Sequence, residues 1–91
     1  MSTDLKRIDD LIKLAQTMLE TKWTESGTVA RHRVNRIQFA ELRGAGLSLI
    51  QRLYDSDHPF YREFDSLVRE ADPACVESAV GILKAIRSEQ V

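Results

Sequence analysis

The chain has little of what disulfide scaffolds, metal sites or membrane spans require. It contains one cysteine, two prolines and four glycines in 91 residues. The single thiol, Cys75, cannot form an internal disulfide, so the sequence predicts a reducing, cytoplasmic setting. No apolar run approaches the roughly 18 residues of a membrane span, and charged side chains fill the stretch after Met1 where a signal peptide would be apolar. The rarity of proline and glycine favours long helices.

The chain also lacks an excess of either sign of charge, because 13 basic and 14 acidic residues give a net charge of −1. No global basic field attracts nucleic acid. The distribution is nevertheless uneven: residues 28–54 carry five arginines and one glutamate, whereas residues 55–78 carry two arginines and seven acids. The basic and acidic segments can pair as antiparallel helices within one bundle, or the basic segment of one copy can pack against the acidic segment of another.

The apolar periodicity predicts a single all-α domain, residues 1–91, folded as an antiparallel bundle of about four helices. The helices are expected at approximately 4–22, 28–54, 59–71 and 73–90. A chain of this size is expected to be stable by only about 5–9 kcal/mol. The last helix is expected to run almost to Val91 without a cap, which is typical either of a module or N-terminal fragment of a larger protein or of a fraying surface terminus.

Glycines indicate where these helices can pack closely, and prolines indicate where they begin or end. Gly44 and Gly46 each cost about 1 kcal/mol in a helix, which either a close neighbouring helix offsets or a turn that divides the segment into two helices explains. We expect the second helix to continue through both glycines. Gly81 is expected to let the fourth helix press on another. The cluster 55–59 ends the second helix, and Asp72 caps the fourth with Pro73 in its first position.

The predicted second helix has apolar residues on two sides. Ala30, Val34 and Ile37 point one way, and a larger set points roughly 140° away from them. That set comprises Phe39, Leu42, Gly46, Leu49, Ile50 and Leu53. One core cannot bury both sides, so Ala30, Val34 and Ile37 are predicted to contact a second copy or an attached domain. Trp23 is a further candidate anchor, although a plug at the end of the bundle is the favoured interpretation.

A basic stripe in the same region offers an alternative function. The candidate nucleic-acid contacts are Arg31, His32, Arg33, Arg36 and Arg43, of which His32, Arg36 and Arg43 share one side of the predicted helix. Binding through so few cations would be weak and dependent on salt. The favoured interpretation is a solvated basic face paired with acids such as Glu63, Asp65 and Glu70, so nucleic acid is not the expected partner.

No cluster of side chains in the sequence predicts catalysis or metal binding. Asp55, Asp57 and His58 form the only tight cluster of potential metal ligands, but a calcium loop starting at Asp55 would need Gly and Glu where Phe60 and Ser66 stand. We interpret the cluster as a capping turn. Cys75, near a helix start, is expected to be a small buried residue. The sequence therefore predicts no catalytic residue, no metal and no cofactor, and the protein is expected not to be an enzyme.

The apolar spacing resembles that of a helical segment at the N-terminal side of some bacterial and archaeal proteins in which a TIR-like predicted nucleotide-binding domain follows. The resemblance covers roughly residues 38–86. It rests on Leu42, Leu47, Leu49, Ile50, Leu53, Tyr54, Asp57, Phe60, Tyr61, Phe64 and the run Gly81-Ile82-Leu83-Lys84-Ala85. It implies an accessory domain that positions or oligomerises an effector in defence against phage. The expected function is thus a non-catalytic protein–protein interaction or oligomerisation module.

Overall fold

Four helices form the body of the protein. The computed structural model describes residues 3–25 and 31–90. Its helices are α1 (Thr3–Glu20), α2 (Arg36–Leu53), α3 (Pro59–Leu67) and α4 (Pro73–Gln90), and two three-residue strands, β1 (Trp23–Glu25) and β2 (Arg31–Arg33), lie between α1 and α2. The predicted all-α bundle of about four helices is confirmed.

The second helix begins later than predicted. Residues 31–33 pair antiparallel with residues 23–25, with Thr24 opposite His32. Helix α2 then starts at Arg36, because the Asn35 side chain caps it by accepting a 2.9 Å hydrogen bond from the backbone N–H of Gln38. The prediction of helix over residues 31–35 is therefore wrong. Asparagine is among the most favoured N-cap residues, and its side chain offers the backbone an alternative to a preceding helical turn.

The remaining helix ends follow their capping residues. His58 caps α3 through Nδ1, which accepts from the N–H of Phe60 at 3.1 Å, and Pro59 follows it. Asp72 caps α4 as predicted, since its Oδ1 accepts from the N–H of Cys75 at 2.9 Å. Helix α3 ends at Leu67 rather than at residue 71.

Helix α1 packs against α2 and α4, and α3 packs against the same two helices. Ion pairs show that α1 runs antiparallel to both neighbours: Asp4 meets Arg52 near the end of α2, and Asp9 meets Arg87 near the end of α4. One apolar core lies between the helices, with its largest fully buried side chains being Phe64, Ile8, Met18, Leu42, Ile50, Leu83, Ile86, Val34, Val68 and Val76. None of the helices in the described part combines the length and apolarity of a membrane span.

The glycines behave differently from one another. Helix α2 continues through Gly44 and Gly46 as predicted. At Gly46 a Cβ would overlap the Phe64 ring, with Phe64 Cε1 only 2.8 Å away, so the missing side chain makes room for the fully buried Phe64. At Gly44 and Gly81 a Cβ would meet nothing within 4 Å. The prediction that Gly81 lets α4 approach another helix of the bundle is therefore wrong.

Candidate docking surface

Val34 and Ile37, two of the three residues predicted to share an apolar face, do not share one. Val34 precedes α2 and is 2 % exposed, so it belongs to the core of its own chain. Ile37 lies in the first turn of α2 and is 80 % exposed. Ala30 lies outside the described residues, as does the side chain of Trp23, whose backbone forms part of β1. The prediction of a common helical face is wrong for Val34 and Ile37, because α2 begins only at Arg36.

The basic residues are likewise divided. Arg31, His32 and Arg33 lie in β2, whereas Arg36 and Arg43 lie in α2. Since His32 belongs to a strand, its predicted helical stripe with Arg36 and Arg43 is wrong. Arg36 is exposed and Arg33 is half-buried, and the side chains of Arg31 and His32 lie outside the described part.

Arg43 has an internal role. Its Nη2 binds Asp65 Oδ1 at 2.6 Å, and its Nη1 donates to the carbonyl oxygens of Val68 at 2.8 Å and Asp65 at 3.2 Å. A cation at these carbonyls satisfies acceptors that the end of α3 leaves without a helical partner. The predicted pairing of the basic helix with acids is confirmed for Asp65, and Arg43 serves to join α2 to α3.

Arg43→Lys is expected to lower the free energy of unfolding by about 1 kcal/mol, because a lysine keeps the charge but not the fork that reaches Asp65 and Val68 together. Arg43→Met, which also removes the charge, is expected to cost about 2 kcal/mol. Urea unfolding followed by circular dichroism measures both. Arg36→Lys is the matched control and is expected to change stability by less than about 0.5 kcal/mol. Equal stability of Arg43→Met and wild type would contradict this role.

The solvent side of α2 carries one large apolar residue, one glutamate and otherwise small side chains. We call it the α2 outer face and define it by the exposed residues Ile37, Ala40, Glu41, Gly44, Ala45 and Ser48. A glycine inside a helix costs about 1 kcal/mol relative to alanine. Gly44 bears this cost although its own chain leaves space for a side chain. The outer face is therefore open at Gly44, where a second helix could approach.

A groove borders this face on the α1 side. It has a volume of about 380 Å³, and its lining residues are Arg7, Asp10, Leu11, Ala45, Ser48 and Leu49. Leu11 and Leu49 form an apolar floor, being 8 % and 2 % exposed. We call it the α1–α2 groove. Its apolar floor can accept an aliphatic group.

The charged residues of this surface have no partner in the described part of the chain. Asp10, which lines the groove, and Arg36, which precedes Ile37, make no side-chain hydrogen bond or ion pair with the described residues. The same holds for Arg7 and Glu41. The surface thus offers charges of both signs around an apolar centre.

The polar cluster at the end of α2 serves as a turn. Asp55 Oδ1 accepts from the N–H of Asp57 at 2.8 Å, and the His58 ring stacks on Tyr54 with centroids 4.2 Å apart. The interpretation as a capping turn is confirmed. Burial raises the pKa of Tyr54, and the hydrogen bond from its hydroxyl to Glu89 raises that pKa further. No group of three metal-ligating side chains occurs within residues 3–25 and 31–90, and Cys75 is half-buried.

Comparison with known proteins adds no relative from which a site could be transferred. No family model, no curated protein and no solved structure matches the chain. The resemblance to helical domains that precede TIR-like domains therefore stays a prediction from the sequence. The α2 outer face and the α1–α2 groove are the candidate site on geometry alone.

Proposed function

We propose that this chain is a non-catalytic oligomerisation module and that its copies associate through the α2 outer face. The observation that carries the proposal is the 80 % exposure of Ile37 on the same helix that lines the apolar-floored α1–α2 groove. Covering an isoleucine side chain contributes about 1.5–3 kcal/mol. That is a large amount for a domain of this size, so an exposed isoleucine favours a state in which a partner covers it.

Gly44 supports the same conclusion independently of Ile37. Its own chain gives no packing reason for a glycine in the middle of α2. A helix from a second molecule supplies one, since a missing side chain lets two helix backbones approach closely. Ala40, Ala45 and Ser48 extend the same low surface along the helix.

Ile37→Glu is expected to abolish self-association while the helical circular dichroism signal persists, because the position is solvent-exposed in the monomer. Light scattering and sedimentation velocity over a wide range of chain concentrations measure the association. Leu67→Glu is the matched control, since Leu67 is 50 % exposed on α3 and outside the proposed surface. A wild-type chain that stays monomeric at every concentration overturns the proposal, and so does an oligomer that survives Ile37→Glu.

The module's context is proposed from the sequence. The single cysteine, Cys75, favours a reducing cytoplasm. The resemblance stated above adds the further proposal that self-association brings effector domains together in prokaryotic defence. An effector attached to this chain is then expected to lose clustering, but not folding, in Ile37→Glu.

A further inference from the structure

We infer that His58 makes α3 sensitive to pH: the neutral imidazole caps the helix, and protonation of the ring in mild acid releases the first turn. The backbone N–H of Phe60 can only donate, and its nitrogen lies 3.1 Å from His58 Nδ1. In the capped helix Nδ1 is therefore the unprotonated nitrogen, and the ring proton lies on Nε2. A second proton would occupy Nδ1, so the imidazolium has no acceptor to offer. The inference goes beyond the proposed function and does not depend on it.

The first turn of α3 has little besides this cap to hold it. The helix has nine residues, and helices this short are marginal without packing. Within α3, all of which the structure describes, Phe64 alone is buried, whereas Phe60 and Tyr61 in the first turn are half-buried. The other end of α3 is bound by Arg43, whose guanidinium stays charged in acid. Acid is therefore expected to loosen the N-terminal end of α3 and to leave its C-terminal end in place.

The groups around the ring favour different protonation states. The positive end of the α3 dipole disfavours an imidazolium. Nearby carboxylates favour it, but Asp55 Oδ1 already accepts from the N–H of Asp57, and the Asp57 side chain is 91 % exposed, so solvent screens its charge. The Tyr54 ring can stack on either form, which leaves the Phe60 N–H as the direct contact that distinguishes them. The titratable and charged groups on the surrounding elements are Tyr54 at the end of α2, Asp55 and Asp57 in the turn, Arg62 on α3, and Glu89 on α4, which accepts from the Tyr54 hydroxyl.

The cap is expected to make stability rise with pH across the range in which histidine titrates. In the unfolded chain His58 is free to bind a proton, whereas the folded chain binds one there only by giving up the cap. The unfolded state therefore binds more protons, which is the condition for stability to increase with pH. The contribution of the cap is present above about pH 7 and is lost as the pH falls toward about 5.

His58→Asn tests the inference, because asparagine is a strong N-cap and its amide does not titrate. Urea unfolding followed by circular dichroism gives the equilibrium constant for unfolding of each chain at about pH 7.5 and about pH 5, on either side of the histidine titration. On acidification this constant is expected to rise about fivefold more in wild type than in His58→Asn, which is the size of a typical N-cap effect. His32 and every carboxylate are common to both chains, so their contributions cancel in the comparison.

The cap of α4 provides a control within the same molecule. Asp72 accepts from the N–H of Cys75 in the same way, and aspartate carboxylates ordinarily titrate around 4, below this range. In nuclear magnetic resonance spectra of the wild type, the Phe60 amide signal is expected to move as the His58 ring titrates, while the Cys75 amide signal stays. Equal acid sensitivity of wild type and His58→Asn overturns the inference, and so does a Phe60 signal that stays fixed while the ring titrates. Either result leaves the proposal of self-association intact.

Discussion

Gly46→Leu is expected to destabilise the bundle by about 3 kcal/mol. The position faces Phe64, which is fully buried, and even a Cβ would overlap the Phe64 ring. Forcing extra carbon atoms into a packed core typically costs about 1–3 kcal/mol, and leucine adds four. Leucine favours helix over glycine, so helix propensity works against the expected loss and any loss measured comes from the contact. Urea unfolding at constant slope measures it.

Two further variants connect that loss to Phe64. Phe64→Ala alone is expected to cost about 3–5 kcal/mol by leaving a cavity. In the double variant with Gly46→Leu, the leucine fills part of this cavity. The loss of stability in the double variant is therefore expected to be at least about 2 kcal/mol smaller than the sum of the two single losses. Gly81→Ala, at an exposed glycine with nothing within 4 Å of a Cβ, is expected to stabilise α4 by about 1 kcal/mol. Additive effects at positions 46 and 64 would contradict direct packing.

The fold class was predictable because apolar spacing and capping residues act locally. The helices α1 and α4 and the turn at residues 55–58 follow from three-and-four apolar spacing, from Pro59 and from the Asp72-Pro73 pair. The continuity of α2 through Gly44 and Gly46 follows from the good helix formers around them. Each of these signals lies within a few residues of the feature that it specifies.

The start of α2 was mispredicted because two local signals compete there. The positions of Ala30, Val34 and Ile37 match a helical period, but Asn35 is a strong N-cap, and its capping hydrogen bond to Gln38 decides the outcome. Apolar periodicity alone cannot separate a helix from a strand that leads into one. The Asn35 signal was present in the sequence and identifies the correct boundary.

The candidate site was only partly predictable for the same reason. Ile37 was predicted as a docking residue from a face that does not exist, and the structure exposes it on a different surface. The α1–α2 groove depends on how two helices pack, which no single segment specifies. Gly44 and Gly81 look alike in sequence to Gly46, yet only Gly46 contacts a neighbouring side chain.

Val34→Glu is expected to unfold most of the chain. Val34 is 2 % exposed in the core, so the substitution replaces about 2 kcal/mol of apolar burial with an unpaired buried carboxylate. A cost of about 4 kcal/mol or more approaches the whole stability expected of a domain of this size. Loss of the helical circular dichroism signal at neutral pH measures the effect. Ile37→Glu, which also replaces a β-branched residue with glutamate three residues later, is expected to keep that signal.

Val34→Ala separates packing from docking at this position. Alanine removes two methyl groups without adding a charge, so stability is expected to fall by about 2 kcal/mol while the chain remains folded. Because Val34 is covered by its own chain, the self-association of this variant is expected to match that of wild type once both are fully folded. A folded Val34→Ala with weakened association, or a folded Val34→Glu, would mean that residue 34 faces outward. In that case Val34 and Ile37 would share one exposed apolar face, and α2 would begin before Asn35.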